Sequence, residues 1–127
     1  MSENKKILVV EDDSVLRNTI IDKLTSEGFE ALGAKNGQEG LDLALQAHPD
    51  LILVDILMPV MDGMEMTTKL REDEWGKDAN IIVLTNLNDE KRIADFLEQG
   101  TYDYLVKSNW SLDEVVKKVK EKLNINT

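Results

Sequence analysis

The sequence contains no cysteine and no long hydrophobic run. Without cysteine the chain cannot form disulfides or use thiol chemistry, which suits a reducing compartment. The polar amino terminus, residues 1–6, leads into only four consecutive apolar residues, too few for a signal peptide or a membrane span. We therefore expect a cytoplasmic protein with no membrane insertion.

Positive charges are outnumbered by negative ones. The chain has 15 Lys and Arg residues against 25 Asp and Glu residues, a formal net charge of −10. Proteins that bind nucleic acid normally present a basic surface, so we expect no direct contact with nucleic acid. Most of the acidic residues are explained as solvated helix surface, and the informative ones are those that end apolar segments.

The length of the chain limits its domain organisation. With 127 residues, 42% of them hydrophobic, it has the size of one ordinary domain and can bury a substantial core. We predict a single domain over residues 1–127, with its core at about 5–123.

Short apolar runs alternate with amphipathic segments along the chain. Strands are predicted at 7–10, 29–35, 51–54, 81–84 and 102–106. Helices are predicted at 14–27, from 36 to before 48, at about 64–72, at 89–99 and from 111 to about 123. Each step between parallel strands needs a crossover, so this alternation predicts an α/β fold, a three-layer α/β/α sandwich around a five-stranded parallel sheet.

Polar residues precede several of the predicted helices. Ser111 and Glu114 form the pattern of a capping box, and Asn36 has the position of a helix start. Asp13, next to Ser14, is expected to cap the first helix rather than to bind a metal.

Chemically matched side chains follow four of the predicted strands. Glu11 and Asp12 follow the first strand, Asp55 the third, Thr85 the fourth and Lys107 the fifth. The carboxyl ends of parallel strands form one edge of a sheet, so these groups are expected to converge on one crevice. Clustered carboxylates repel one another unless a positive charge compensates, which predicts a bound metal ion with Lys107 nearby.

These residues resemble a known family, the receiver domain of two-component response regulators, of the single-domain, CheY-like kind. The resemblance covers essentially the whole chain and implies a flavodoxin-like fold with strand order 2-1-3-4-5. It rests on Val9-Val-Glu-Asp12, Asp55 with Met58-Pro59 and Asp62-Gly63, Leu84-Thr85, and Tyr104 three residues before Lys107.

The resemblance makes Asp55 the phosphoacceptor, phosphorylated by a sensor histidine kinase or a histidine phosphotransfer protein. It implies Mg²⁺ as the cofactor, bound by Asp12, by Asp55 and by the backbone carbonyl of Leu57, with Glu11 acting directly or through water. Such a protein is not a turnover enzyme. It is a phosphoacceptor that assists its own phosphorylation and dephosphorylation.

The resemblance also implies roles for three further residues. Lys107 would pair with Asp55 and then hold a phosphoryl oxygen, and Thr85 would donate its hydroxyl to another. Thr85 and Tyr104 would form the switch, which changes the surface of the fourth helix, fifth strand and fifth helix where a downstream protein binds.

The chain differs from the family pattern at some positions. Ser108 follows Lys107 where the family usually has proline, and Asn86 stands where it commonly has a small residue. Leu57 and Leu87 offer no group that could orient an attacking water, so we hypothesise slow spontaneous dephosphorylation.

Other functions remain open at this point. A pseudo-receiver would keep the fold and act as a phosphorylation-independent interaction module. A phosphohydrolase using Asp55 as its nucleophile would need a second carboxylate as general acid, and Leu57 stands in that place. The chain could be a stand-alone receiver or part of a longer regulator, and its output could be protein contact, phosphate relay or service as a phosphate sink.

Overall fold

The computed structural model describes residues 4–56, 58, 60–85, 94, 103–106 and 111–125, with the backbone alone for 85 and 103–106. Five strands form one sheet in the order β2-β1-β3-β4-β5, and every neighbouring pair is parallel. This order confirms the predicted sheet. The strands are β1 (Lys6–Val10), β2 (Glu30–Ala34), β3 (Leu51–Asp55), β4 (Ile81–Thr85) and β5 (Asp103–Val106).

The helices connect the strands and lie on both faces of the sheet. The predicted helix at 89–99 falls outside the described residues except for Ala94, whose backbone is helical. The described helices are α1 (Ser14–Ser26), α2 (Gly37–Ala47), α3 (Gly63–Arg71), a short 3₁₀ turn (Gly76–Asp78) and a C-terminal helix (Leu112–Lys122).

The sheet divides the hydrophobic core into two clusters. Alternate residues of each strand point to opposite faces, so Leu8 and Val10 of β1 face α2 and α3, whereas Ile7 and Val9 face α1 and the C-terminal helix. Because both faces are covered, the central strands are apolar at nearly every position. This two-sided burial explains why the strands appear in the sequence as short continuous apolar runs.

Side-chain caps fix where the helices begin. Asp13 caps α1, accepting hydrogen bonds from the backbone N–H groups of residues 15 and 16 at 3.0 and 3.1 Å. Asn36 caps α2 and Ser111 caps the C-terminal helix, as predicted. Asp62 caps α3 by accepting from the N–H of Glu65 at 2.8 Å, so α3 begins one residue earlier than the sequence suggested.

Ion pairs join α1 to the C-terminal helix. The Lys23 Nζ lies 3.1 Å from Asp113 Oδ1 and 3.6 Å from Glu27 Oε2, and Lys120 Nζ lies 3.3 Å from Glu27 Oε1. The hydrogen bond and negative charge of Asp113, with a smaller contribution from Glu27, raise the pKa of Lys23 above its ordinary value of 10.5.

Within the described part of the chain, no helix has both the length and the apolar composition needed to cross a lipid bilayer.

Candidate functional site

Glu11 and Asp12 directly follow β1. The Glu11 N–H donates to the carbonyl of Ala34 at 3.0 Å, which extends the pairing of β1 with β2 by one residue. The Glu11 side chain is fully buried, and its Oε2 accepts from the N–H of Asp13 at 3.3 Å. Asp12, between them, is exposed. The Glu11 carboxylate is therefore buried, whereas the Asp12 carboxylate is accessible to solvent.

Asp55 is the last residue of β3 and is 4% exposed. The loop after it folds back over its backbone, where the Gly63 N–H donates to the carbonyl of Ile56 at 2.9 Å. A Cβ atom on Gly63 would overlap the carbonyl oxygen of Asp55. Glycine is therefore required at residue 63 if the backbone beneath the Asp55 carboxylate is to keep its position.

The structure brings the three acidic residues together. β1 and β3 are neighbours with Val10 opposite Val54, so the residues that follow, Glu11 and Asp55, lie side by side at the carboxyl edge. One carboxylate oxygen from each of Glu11, Asp12 and Asp55 lies within 4.8 Å of the other two. Three negative charges at this separation favour a cation, and carboxylate oxygens are the hard ligands that Mg²⁺ binds. The donor set therefore fits the metal predicted from the sequence.

The other predicted site residues are described in part or not at all. Thr85 ends β4 opposite Val106 of β5, which puts its backbone at the same edge of the sheet as Asp55. Tyr104 lies in β5 opposite Val83, and its side chain is outside the described residues. Lys107 and Leu57 lie outside the described residues altogether, as do Asn86, Leu87 and Ser108.

The loop between β3 and α3 follows Asp55 at the carboxyl edge of the sheet. Met61 is buried in the core that faces α2 and α3, and the partly buried Met58 packs against the same core. Val60 is 81% exposed, and its φ of +69° lies in the left-handed region that β-branched residues rarely adopt. The loop thus presents an apolar side chain to solvent in a strained backbone conformation.

Arg17 contacts the site but was not predicted from the sequence. From α1 it reaches back to the end of β1, where its Nη1 donates to the backbone carbonyl of Glu11 at 2.8 Å. A helical arginine shortly after an acidic pair offers a weak signal, because the sequence does not show whether its side chain turns toward the strand.

Comparison with known proteins finds relatives of this chain. The Staphylococcus aureus protein named "Transcriptional regulatory protein SrrA" is 39% identical over 117 residues, which cover 92% of this chain and 47% of that protein. This chain therefore spans about half the length of the curated relatives it matches.

Solved structures show the same architecture. Vibrio cholerae chemotaxis response regulator CheY4 matches with a TM-score of 0.88 at 28% identity, covering 95% of this chain and 100% of that one. The receiver domain of the Pseudomonas aeruginosa sensor histidine kinase PA1611 matches with a TM-score of 0.86 at 29% identity, covering 96% of this chain and 99% of that one. That structure is described with a magnesium ion coordinated in its active site cleft. The profile of the response regulator receiver domain matches residues 7–120. This match shows that the chain belongs to the response regulator receiver domain family of two-component systems.

Proposed function

We propose that this protein accepts a phosphoryl group on Asp55 from a sensor histidine kinase or a histidine phosphotransfer protein, with Mg²⁺ as cofactor, and thereby switches a protein-binding surface. The observation that carries the proposal is the convergence of three carboxylates, within 4.8 Å of one another, at the carboxyl edge of a receiver-domain sheet. Of the three, Asp55 ends the central strand β3, and Gly63 of the returning loop packs against its backbone carbonyl.

The proposed metal ligands are those that the family resemblance implies, and the proximity of the Glu11, Asp12 and Asp55 carboxylates supports three of them. Asp12 and Asp55 would bind Mg²⁺ directly, Glu11 directly or through water, and the carbonyl of Leu57 would complete the protein ligands. The bound ion would supply positive charge that neutralises the phosphoryl oxygens during transfer. The solved receiver domain of PA1611, with its magnesium ion in the active site cleft, supports this assignment by similarity.

The chemistry proposed for Asp55 is nucleophilic attack by a carboxylate. One Asp55 oxygen forms a bond to phosphorus, the phosphorus–nitrogen bond of the donor phosphohistidine breaks, and its electron pair stays on the imidazole. The product is an acyl phosphate on Asp55. The buried side chain and the packing of Gly63 against the Asp55 carbonyl limit the positions the nucleophile can take, which favours in-line attack.

The proposed switch uses the carboxyl ends of the last two strands. Lys107 would hold one phosphoryl oxygen and the Thr85 hydroxyl another, and Tyr104 would change its packing with Thr85. This change would shift the population between two forms of the surface that binds the downstream protein. The protein would work in the cytoplasm, as a phosphoacceptor that assists its own phosphorylation and dephosphorylation rather than as a turnover enzyme.

Intact-mass spectrometry after incubation with acetyl phosphate tests the acceptor. With Mg²⁺ the wild type is expected to gain one phosphoryl group, whereas Asp55→Asn is expected to gain none and the exposed-acid control Asp22→Asn to behave as the wild type. A gain that persists in Asp55→Asn would move the acceptor elsewhere. A wild type that neither gains mass nor binds Mg²⁺ would favour the pseudo-receiver.

The lifetime of the phosphoryl group can be timed in the same experiment. Leu57 and Leu87 carry no polar group, so the acyl phosphate is expected to decay slowly. Leu57→Asn is expected to speed its loss, and a decay that is unchanged or slower would contradict the explanation.

A further inference from the structure

Arg17 donates a hydrogen bond to the peptide group between Glu11 and Asp12. The carbonyl that accepts from Arg17 Nη1 at 2.8 Å belongs to Glu11 and is part of the peptide that joins Glu11 to Asp12. The N–H on the other side of Glu11 is bonded to the carbonyl of Ala34 at 3.0 Å. Glu11 is therefore fixed through both of its backbone polar groups, one by the sheet and one by a side chain from α1.

Gly33 of β2 provides the room that this contact needs. A Cβ atom built at residue 33 would lie 2.8 Å from Ile21 Cδ1 and 3.3 Å from Arg17 Cδ. The arginine stem therefore crosses β2 where that strand has no side chain. Because both close atoms belong to side chains, an alanine at residue 33 requires the Ile21 side chain to shift and pushes the Arg17 stem by a few tenths of an ångström.

From these contacts we propose that Arg17 is a positioning residue for the cation site, acting through the peptide between Glu11 and Asp12, and that Gly33 is what lets it reach that peptide. The inference rests on the proposed function, because the cation site is part of it. A hydrogen bond from a guanidinium is charge-assisted and stronger than a neutral one. Groups that orient the ligands of a metal typically change its affinity by about 10-fold to 100-fold when they are removed.

The sign of the effect separates positioning from simple electrostatics. A positive charge close to a cation site repels the cation, so if Arg17 acted only through its charge, removing it would tighten Mg²⁺ binding. If Arg17 acts by holding the Glu11–Asp12 peptide, removing it would weaken binding. The two explanations predict opposite changes in the same dissociation constant.

Isothermal titration calorimetry of the metal-free protein with Mg²⁺ measures that constant. Arg17→Met is expected to raise the dissociation constant about 10-fold, at the lower end of the range for such residues. Gly33→Ala keeps the charge of Arg17 and crowds its stem together with Ile21, so it is expected to weaken Mg²⁺ binding as well, by less than Arg17→Met. Arg17→Lys keeps a charged donor and is expected to recover part of the affinity.

Lys35→Met is the matched control. Lys35 follows Ala34 at the same edge of the sheet, and its Nζ pairs with Glu39 Oε2 at 3.7 Å on an exposed surface. Its loss removes one positive charge from the carboxyl edge of the sheet and no contact with the Glu11–Asp12 peptide. Its Mg²⁺ affinity is expected to equal or slightly exceed that of the wild type.

The unfolding midpoint of each variant in EDTA separates positioning from general stabilisation. A purely structural role would lower the midpoint and leave the dissociation constant unchanged, which would overturn the inference. Equal or tighter Mg²⁺ binding by Arg17→Met would overturn it as well. If Arg17→Met does not fold, unchanged binding by Gly33→Ala is the refuting result. A wild type that binds no Mg²⁺ would refute both the inference and the proposed function, whereas normal wild-type binding with unaffected variants would refute the inference alone.

Discussion

Replacing Asp12 with asparagine should make the metal-free protein more stable. One oxygen of the Asp12 carboxylate lies within 4.8 Å of oxygens from both Glu11 and Asp55. At 4.8 Å two unit charges in a water-like dielectric repel by about 0.9 kcal/mol, and Asp12 faces two such charges. Screening by physiological salt roughly halves the total, because the Debye length there is about 8 Å. We therefore expect Asp12→Asn to raise the free energy of unfolding by about 1 kcal/mol.

Magnesium should reverse this order. A ligand that binds only the folded state stabilises it by about 1.4 kcal/mol at ten times its dissociation constant. The wild type should gain this amount, while Asp12→Asn, which lacks one proposed ligand, should gain much less. The wild type is therefore less stable than the variant in EDTA and more stable in sufficient Mg²⁺.

Urea unfolding of both proteins in EDTA and in Mg²⁺ tests the reversal. For a chain of this length, 1 kcal/mol corresponds to about 4 °C in the melting temperature, so thermal unfolding gives an independent measurement. The exposed acid Asp22 supplies the control, because Asp22→Asn should change stability little in either condition. The reasoning fails if Asp12→Asn is the less stable protein in EDTA, or if Mg²⁺ stabilises both proteins equally.

Three further predictions concern other parts of the structure. Gly63→Ala should lower the free energy of unfolding by about 1–3 kcal/mol, because its Cβ overlaps the Asp55 carbonyl, and it should slow phosphorylation by acetyl phosphate. Thr67→Val should raise that free energy by about 1 kcal/mol in urea unfolding, because the buried Thr67 hydroxyl has no hydrogen-bond partner among the described residues. The stabilisation due to Lys23 should be fully present below pH 10.5 and should disappear as the pH rises through its elevated pKa, so the stability difference between the wild type and Lys23→Met should shrink above pH 10.5.

Two of these predictions have internal controls. Thr68→Val removes a hydroxyl that is exposed and donates to the carbonyl of Met64 at 2.9 Å, so it should not stabilise the protein. Thr67→Val being destabilising, or no better than Thr68→Val, would show that the buried hydroxyl is bonded. For Lys23, Asp113→Asn should abolish most of the same pH dependence, since Asp113 is the main cause of the raised pKa. A difference that stays constant to pH 12 would contradict the assignment of the stability to this ion pair.

The sequence predicted the parts of the fold that depend on local pattern. Apolar runs at 7–10 and 51–54 were identified as strands because parallel strands are buried on both faces, and they are β1 and β3. Asp13 and Ser111 were identified as caps because their side chains bond to nearby N–H groups, which depends only on adjacent residues. The convergence of Glu11 with Asp55 followed from parallel topology alone.

Contacts between distant side chains could not be predicted in the same way. Arg17 reaches the Glu11 carbonyl only because of the rotation of α1 against the sheet, which no local pattern specifies. His48 is exposed, yet its ring stacks on Trp75 at a centroid distance of 4.4 Å and an interplanar angle of 8°, a contact that no sequence pattern indicates. The left-handed backbone of Val60 was missed for another reason, since a β-branched residue gives no signal for positive φ.

The C-terminal helix has a consequence for the order in which the protein can fold during synthesis. Val115, Val116 and Val119 of that helix cover the face of the sheet that Ile7 and Val9 of β1 also line. The chain is synthesised from its amino terminus, so this helix leaves the ribosome after all five strands. The part of this cover that α1 supplies is synthesised directly after β1, but the part that the C-terminal helix supplies is missing until almost the last described residues have emerged. During that interval this face of the sheet is only partly covered, and chaperones can bind the apolar surface that is left.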